Sequence, residues 1–303
     1  MTRKGLVIEA DRCIGCWVCV TACKDEFVLN DILPYSKGQP DTQYGYYPGF
    51  PQPGVPTGTG KVWVQHGQNW IDDGEVVVGQ YPKVKAQFLP LPCMHCADPP
   101  CMKVSSGGAV YKRNDGIVII DPANSVGQKQ IVSACPYGRV YWNSDLNIPQ
   151  KCTLCAHLVD QGKNPKCVDA CPIHAIHFGD LDDPNSDASK VAAARNAEPY
   201  HPEYGTQPTI LYAGLLKPFL SGKVVDGRTG EYLTGATVVL TGTDGQSHTA
   251  ITDNYADFEF PGLKVRQMYN LRIKKDGYFD KVMLVFLDRA KDIGKLQLFP
   301  EGV

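Results

Sequence analysis

The sequence predicts an α+β protein in two parts: a cysteine-rich portion of short strands and helices over residues 1–217, and a small all-β sandwich over residues 218–303. Three observations carry this reading. All twelve cysteines lie between Cys13 and Cys171, and none follows. From about residue 218 onward, short β-rich runs alternate with Gly, Asp and Asn turns. A chain of 303 residues, 43% hydrophobic and 20% charged, is long enough for two domains with cores of their own.

The elements follow in order. A strand at Leu6–Glu9 leads into the first cysteine loop and a helical pattern over Val20–Leu29. From Pro34 to Gly60 the residues are mainly Pro, Gly, Tyr and Gln with no apolar period, which reads as a long irregular excursion. Its tyrosines, Tyr44, Tyr46 and Tyr47, suit a docking surface or a solvated loop. Strand-like stretches at Lys61–Gln65 and Glu75–Gly79 precede Cys93, and another at Gly116–Asp121 precedes Cys135. Residues 180–217, rich in Asp, Asn, Ala and Pro, read as a connector with one helix at Ala188–Asn196. Beyond it, Gly222–Asp226, Thr237–Leu240, Phe258–Phe260, Tyr269–Lys274 and Val282–Leu287 are the strands of the sandwich.

Charge and hydropathy exclude several function classes. Thirty basic and 32 acidic residues leave a formal charge of -2, which offers no footprint for nucleic acid or a membrane surface. The best apolar stretch, Ile210–Leu220, is short and interrupted by Lys217 and Pro218, so no membrane span is expected. The first eleven residues show neither a hydrophobic core nor a twin-arginine pair. A cytoplasmic location is expected, with export only on a partner's signal.

The cysteines carry the chemistry. Cys13-x2-Cys16-x2-Cys19-x3-Cys23 is a cluster-wrapping run. A cubane offers iron corners close together, so three thiolates two residues apart wrap one cluster, and the fourth cysteine, on the following helix, ligates a second. The complementary group is Cys152-x2-Cys155-x11-Cys167-x3-Cys171-Pro. This gives a first [4Fe-4S] cluster on Cys13, Cys16, Cys19 and Cys171, and a second on Cys23, Cys152, Cys155 and Cys167. The remaining four, Cys93-x2-Cys96-x4-Cys101 and Cys135-Pro, make a third quartet. Zinc is the alternative for any cysteine quartet, but the interleaved run ending in Cys171-Pro makes it a poor competitor. Disulfides would require a secreted context that the N-terminus does not support. The first part is thus expected to be a ferredoxin-like domain with three [4Fe-4S] clusters.

The loops Cys93-Met-His-Cys96-Ala-Asp-Pro-Pro-Cys101, Asp115-Gly-Ile-Val, Ala134-Cys135-Pro-Tyr-Gly and Lys151-Cys152-Thr-Leu-Cys155-Ala-His resemble the four-cluster iron-sulfur subunits of the dimethyl sulfoxide reductase family. Those relatives have sixteen cysteines. At the positions of the missing four this chain has Ser105, Ser125, Gln128 and Ile131, which in the family pattern would all serve one cluster, so one site is absent whole. A closer resemblance is to the small subunits of pyrogallol-phloroglucinol transhydroxylases, through Gly108-Ala-Val-Tyr-x-Arg-x-Asp-Gly-Ile-Val, Cys135-Pro-Tyr-Gly-x-x-Tyr-Trp-Asn143 and Gln150-Lys-Cys-Thr-x-Cys-Ala-His-Leu158. It implies three clusters, a C-terminal β domain, and a large partner subunit that binds molybdenum or tungsten through a pterin cofactor and acts on phenolic rings. Ser221-Gly-Lys-Val-Val-Asp-Gly-Arg-Thr-Gly to Gly235-Ala-Thr-Val-Val-Leu resembles the carboxypeptidase regulatory-like sandwich, which implies a structural and docking module.

Other residues are candidates for tuning the clusters. His95, His157, His174 and His177 sit near ligands and are as easily ordinary packed or solvated histidines. Of Lys24, Lys103 and Lys151, which could offset cluster charge, tuning is favoured only for Lys151. Trp17 and Trp142 are candidates for shielding clusters from water. No catalytic triad, nucleotide loop or paired carboxylate stands out, so no catalytic residue is expected on this chain. The reading is an electron-transfer subunit of an oxidoreductase. The alternatives are the same subunit type in a soluble respiratory reductase or dehydrogenase, and a free-standing polyferredoxin.

Overall fold

The computed structural model describes residues 2–28 and 68–302. The Pro34–Gly60 excursion with its tyrosines, the Lys61–Gln65 strand and Leu29 lie outside the described residues. Two compact units emerge: one of residues up to Glu75 together with Phe88–Leu215, the other of Val76–Gln87 with Leu216–Val303.

Along the chain run β1 (Lys4–Glu9), α1 (Val18–Val28), β2 (Asp72–Gln80), β3 (Lys83–Leu91), α2 (Pro100–Lys103), β4 (Val110–Lys112), β5 (Val118–Ile120) and α3 (Gln130–Ser133). Then come β6 (Tyr141–Asn143), β7 (Ile148–Gln150), α4 (Ala156–Val159), α5 (Lys166–Asp169), β8 (Ile176–Asp180), α6 (Asp187–Arg195), β9 (Glu198–Pro199) and β10 (Ile210–Ala213). Strands and helices are mixed, as expected for an α+β unit. The principal sheet has the order β8-β1-β10-β9. Its anchor is β1, whose apolar run Leu6-Val7-Ile8 is at most 1% exposed. A strand with neighbours on both sides needs such a continuous run, and each of these side chains contributes roughly 2 kcal/mol by burial.

Strand β8 runs antiparallel to β1, with Ile8 opposite Ile176 and Leu6 opposite Phe178. This pairing positions the metal-site residues, because the first cysteine loop leaves the end of β1 and the last cysteine group enters the start of β8. Strand β10 runs parallel to β1, with Leu6 opposite Ile210 and Ile8 opposite Tyr212. Residues 180–217, expected as a connector, are therefore woven into the first unit. The reason is apolar: Ile210, Tyr212 and Ala213 are fully buried, and the polar composition of their surroundings masked a short core strand. Helix α6 starts one residue before the expected Ala188. Ser186 caps it by accepting from the Ser189 amide at 3.1 Å, and Asn196 ends it in the left-handed region.

The second unit comprises β11 (Phe219–Asp226), β12 (Thr237–Gly242), β13 (Ser247–Ile251), β14 (Asp257–Pro261), β15 (Gln267–Lys274), β16 (Lys281–Leu287) and β17 (Lys291–Leu298). They form two sheets, β14-β11-β17 and β13-β12-β15-β16. Alternation along β12 and β15 turns Val238, Leu240, Tyr269, Leu271 and Ile273 inward. There they share one apolar core with Leu220, Val224, Phe258, Phe260, Leu296 and Leu298, the arrangement of a sandwich. Asp226 organises the first turn: its Oδ1 accepts from the amides of Arg228 and Thr229 at 2.7 and 3.0 Å, and its Oδ2 from the Tyr278 hydroxyl at 2.9 Å.

Val76–Gln87, expected with the cysteine-rich portion, groups instead with this second unit. The Phe219 ring lies under Gly79, leaving no room for a Cβ there, and the Lys85 ammonium sits 4.6 Å from the Phe219 centroid. Lys85 also pairs with Glu259, and Lys83 with Asp257 at 3.5 Å. Residues 216–303 expressed alone are expected to fold as cooperative β structure without iron. Circular dichroism of an unstructured fragment would show that the sandwich core depends on residues 76–87.

Candidate metal centres

The β1–β8 pairing sets the first group of cysteines beside the last. The Glu9 amide donates to the Ala175 carbonyl at 2.8 Å. Cys13, Cys16, Cys19 and Cys171 accordingly line one apolar cavity, together with Ile8, Ile14 and Trp17. Helix α1 packs on α5, which carries Cys23 to Cys167. Burial and the neighbouring thiols of Cys152, Cys155 and Cys167 push the Cys23 thiol far up. In the third quartet, burial and the proximity of Cys93, Cys101 and Cys135 push Cys96 up to about 12. Burial with Cys93 and Cys135 close by raises Cys101 to about 11. The structure thus sets Cys13, Cys16 and Cys19 near Cys171, Cys23 near Cys152, Cys155 and Cys167, and Cys96 and Cys101 near Cys93 and Cys135. All twelve cysteines are free thiols; Cys16 is exposed, Cys13 and Cys135 are half-buried, and the rest are buried.

The quartets also adjoin one another. Cys167 of the second feels Cys19 of the first, and Cys152 of the second feels Cys93 of the third. Left-handed backbone recurs in the cysteine loops, at Trp17 (φ 61°), His95 (41°), Leu154 (53°), Cys155 (47°) and His174 (50°). Such residues cost on the order of 1 kcal/mol each, and they turn successive amides inward as anion-binding nests. The amides do reach sulfur: Leu154 donates to Cys152 Sγ at 3.3 Å, Ala175 to Cys171 Sγ at 3.3 Å and Arg139 to Cys135 Sγ at 3.4 Å.

These surroundings fit an iron–sulfur cluster. Among the described residues, no group of three or more His, Cys, Asp or Glu converges tightly enough for a single ion; a cubane instead takes its four thiolates on four separate corners. Two buried polar atoms beside the quartets, His95 Nε2 and Thr153 Oγ1, have no hydrogen-bond partner among the described residues, and a buried donor needs an acceptor. Lys151 is 2% exposed, with its ammonium on the carbonyls of Val118 and Cys152 (3.0 Å to the latter). A buried cation requires negative charge nearby, which thiolate-bound clusters supply.

The other tuning candidates resolve differently. His157 is buried on Glu26 at 2.9 Å, His177 lies between Glu9 at 3.1 Å and Asp187 at 2.7 Å, and His174 is exposed. Each of the first two is committed to a carboxylate, whereas His95 keeps a buried ring nitrogen with no partner among the described residues. Lys24 donates to the Gln68 carbonyl at 2.5 Å and Lys103 pairs with Asp98 on the surface. Trp17 is 47% exposed and half-covers the first cavity, while Trp142 stacks under the Lys129 ammonium. At the four positions where the sequence resemblance expects further cysteines, Gln128 donates to the carbonyls of Ser106 and Asn124, Ser105 to that of Met102, Ser125 is buried, and Ile131 joins the core around Val110 and Val118. Sequence reasoning missed Thr206, whose hydroxyl bonds Cys96 and Tyr137, because no spacing links it to a cysteine loop. It also missed Val118, whose contribution is backbone alone.

Comparison with known proteins agrees with this geometry. Residues 84–181 match the 4Fe-4S dicluster domain family and residues 220–291 the carboxypeptidase regulatory-like domain family. The chain is 32% identical to the pyrogallol hydroxytransferase small subunit of Pelobacter acidigallici, over 98% of this chain and 100% of that one. It is 35% identical to a subunit of the sulfite dehydrogenase of Allochromatium vinosum, over 70% of this chain and 83% of the relative. With one component of the anaerobic dimethyl sulfoxide reductase of Escherichia coli it shares 30% identity, over 76% and 95%. Fold and site define an iron–sulfur electron-transfer subunit of an oxidoreductase. The chain therefore belongs to the iron–sulfur subunits of the dimethyl sulfoxide reductase family, the family of the pyrogallol hydroxytransferase small subunit.

Proposed function

We propose that this chain holds three [4Fe-4S] clusters and serves a large catalytic subunit that carries molybdenum or tungsten on a pterin and acts on polyhydroxylated benzenes. The first cluster takes Cys13, Cys16, Cys19 and Cys171, the second Cys23, Cys152, Cys155 and Cys167, the third Cys93, Cys96, Cys101 and Cys135. The observation that carries the reading is the meeting of Cys23 with Cys152, Cys155 and Cys167. Sequence neighbours of Cys23 serve another quartet, and only interleaved cluster ligation requires that exchange. When bound, the clusters supply one-electron storage and transfer. The chain's own residues exclude water, donate amide hydrogen bonds to sulfur and keep neighbouring quartets close. Among the described residues no helix is long and apolar enough to cross a membrane.

The end-to-end match to the pyrogallol hydroxytransferase small subunit, against 70–76% of this chain for the other two relatives, favours that enzyme type. Transfer of hydroxyl groups between such rings is redox-neutral overall, so the clusters would set or buffer the partner metal's oxidation state. The isolated chain is expected to be inert. The anaerobic heterodimer is expected to form phloroglucinol from pyrogallol with a tetrahydroxybenzene co-substrate and no electron acceptor. Turnover only after a dye or quinone is added would assign the complex to the dehydrogenases instead. Purified under anoxia, the chain is expected to contain about twelve iron and twelve sulfide; eight iron would remove the third site, and stoichiometric zinc would overturn the assignment.

A further inference from the structure

The peptide unit of Val118, a buried residue of β5, holds two polar side chains at once. Its N–H donates to His95 Nδ1 at 3.1 Å, and its carbonyl accepts from the Lys151 ammonium. The first bond fixes the histidine: Nδ1 must offer its lone pair, so the ring is neutral and its proton sits on Nε2, the buried atom with no partner among the described residues. The second fixes a charge. Lys151 Nζ rests on two carbonyls, and among the described residues no carboxylate lies within ion-pair reach of it. Cys101 and Cys135 of the third quartet feel this ammonium, and so does Cys152 of the second. The first quartet is lined by Ile8, Ile14 and Trp17 with no lysine among its walls.

On the ligand assignment proposed above, we infer that Lys151, positioned by the Val118 carbonyl, is a positive charge that raises the reduction potentials of the third and second clusters while leaving the first unchanged. Reduction adds one electron to a cluster. No bond forms or breaks and no proton moves, so the product carries one more negative charge beside an unchanged ammonium. In a buried, low-dielectric setting that attraction is far stronger than in water, and it favours the reduced form. His95 acts in the same direction, because its Nε2–H can stabilise added charge on sulfur. The third quartet is also the one beside which Gln128, Ser125 and Ile131 fill the place of a further cluster.

The test is a redox titration of the cluster-loaded full chain followed by electron paramagnetic resonance, with dithionite as the reductant that is oxidised. The third signal is identified by its loss in Cys101→Ala and the first by its loss in Cys16→Ala. Lys151→Met is expected to lower the reduced-to-oxidised ratio of the third cluster on the order of tenfold at a fixed potential. The first signal is expected to stay in place and iron content to remain near that of the unaltered chain. Lys151→Arg, which keeps the charge, is expected to restore the ratio. Should Lys151→Met fail to assemble the third cluster, Lys151→Gln, neutral yet still able to donate to the Val118 carbonyl, carries the same expectation. An unshifted third signal, or an equal shift of all three, overturns the inference alone. Absence of a third signal in the unaltered chain overturns the ligand assignment and this inference with it.

Discussion

Replacing Cys171 with alanine is expected to abolish the same spectroscopic signal as replacing Cys16, although nearly the whole cysteine-rich segment separates them. Replacing Cys23, one helical turn from Cys19, is expected to abolish a different one. The cause is the register of β1 against β8, which sets Ile8 opposite Ile176 and brings Cys171 to the mouth of the first loop. The packing of α1 on α5 meanwhile brings Cys23 to Cys167. Each substitution removes one thiolate of four and leaves a corner that no nearby protein thiolate can take, so about four of the twelve iron atoms are expected to be lost in each variant. Mössbauer or paramagnetic resonance spectra of anaerobic Cys16→Ala, Cys171→Ala and Cys23→Ala chains decide the matter. Loss of one common signal in Cys16→Ala and Cys23→Ala would refute the interleaved assignment.

The parts of this architecture that could be read in advance are those written in short-range spacing or period. The Cys-x2-Cys loops, the strand at Leu6–Glu9, the helix from Asp187 and most sandwich strands are of this kind, because thiolate geometry and side-chain alternation both act over a few residues. What could not be read depends on distant partners. Strand β10 is four residues in a polar stretch, and only its parallel pairing with β1 makes Ile210 and Tyr212 core residues. Residues 76–87 join the sandwich because Phe219 packs on Gly79, a contact that no local pattern announces. The histidines divide on the same principle. His95 and His157 look alike beside their cysteines, yet Glu26 reaches one and only the Val118 amide reaches the other. Left-handed residues such as Leu154 and Cys155 carry no composition cue either, since tertiary constraint imposes that backbone on ordinary side chains.

Removing iron is expected to unfold the first unit and spare the second. Burial and neighbouring thiols raise Cys101 and Cys152 each to about 11, so these two thiols are neutral without metal. Iron must therefore displace their protons, and the free energy of that binding is folding free energy for the loops that carry them. A structural metal site contributes on the order of 10 kcal/mol, while a whole domain is stable by only about 5–15 kcal/mol. Loss of even one cluster thus approaches the full stability of the unit, and loss of three exceeds it. The positive-φ residues of the cysteine loops add further cost once the clusters no longer hold them. The second unit has no cysteine and a core of Leu, Val, Phe and Ile drawn from both its sheets, so chelation leaves its contacts untouched. Calorimetry of the anaerobic holo protein is expected to show two transitions, and after iron is stripped with chelator under mild acid and the pH restored, one. The surviving transition should lie at or above that of the isolated 216–303 fragment, which lacks the packing of residues 76–87 on Phe219. An apo protein that keeps both transitions would mean that the first unit is held by its apolar core around Val110, Val118 and Ile131 and that its cysteines bind metal without supporting the fold.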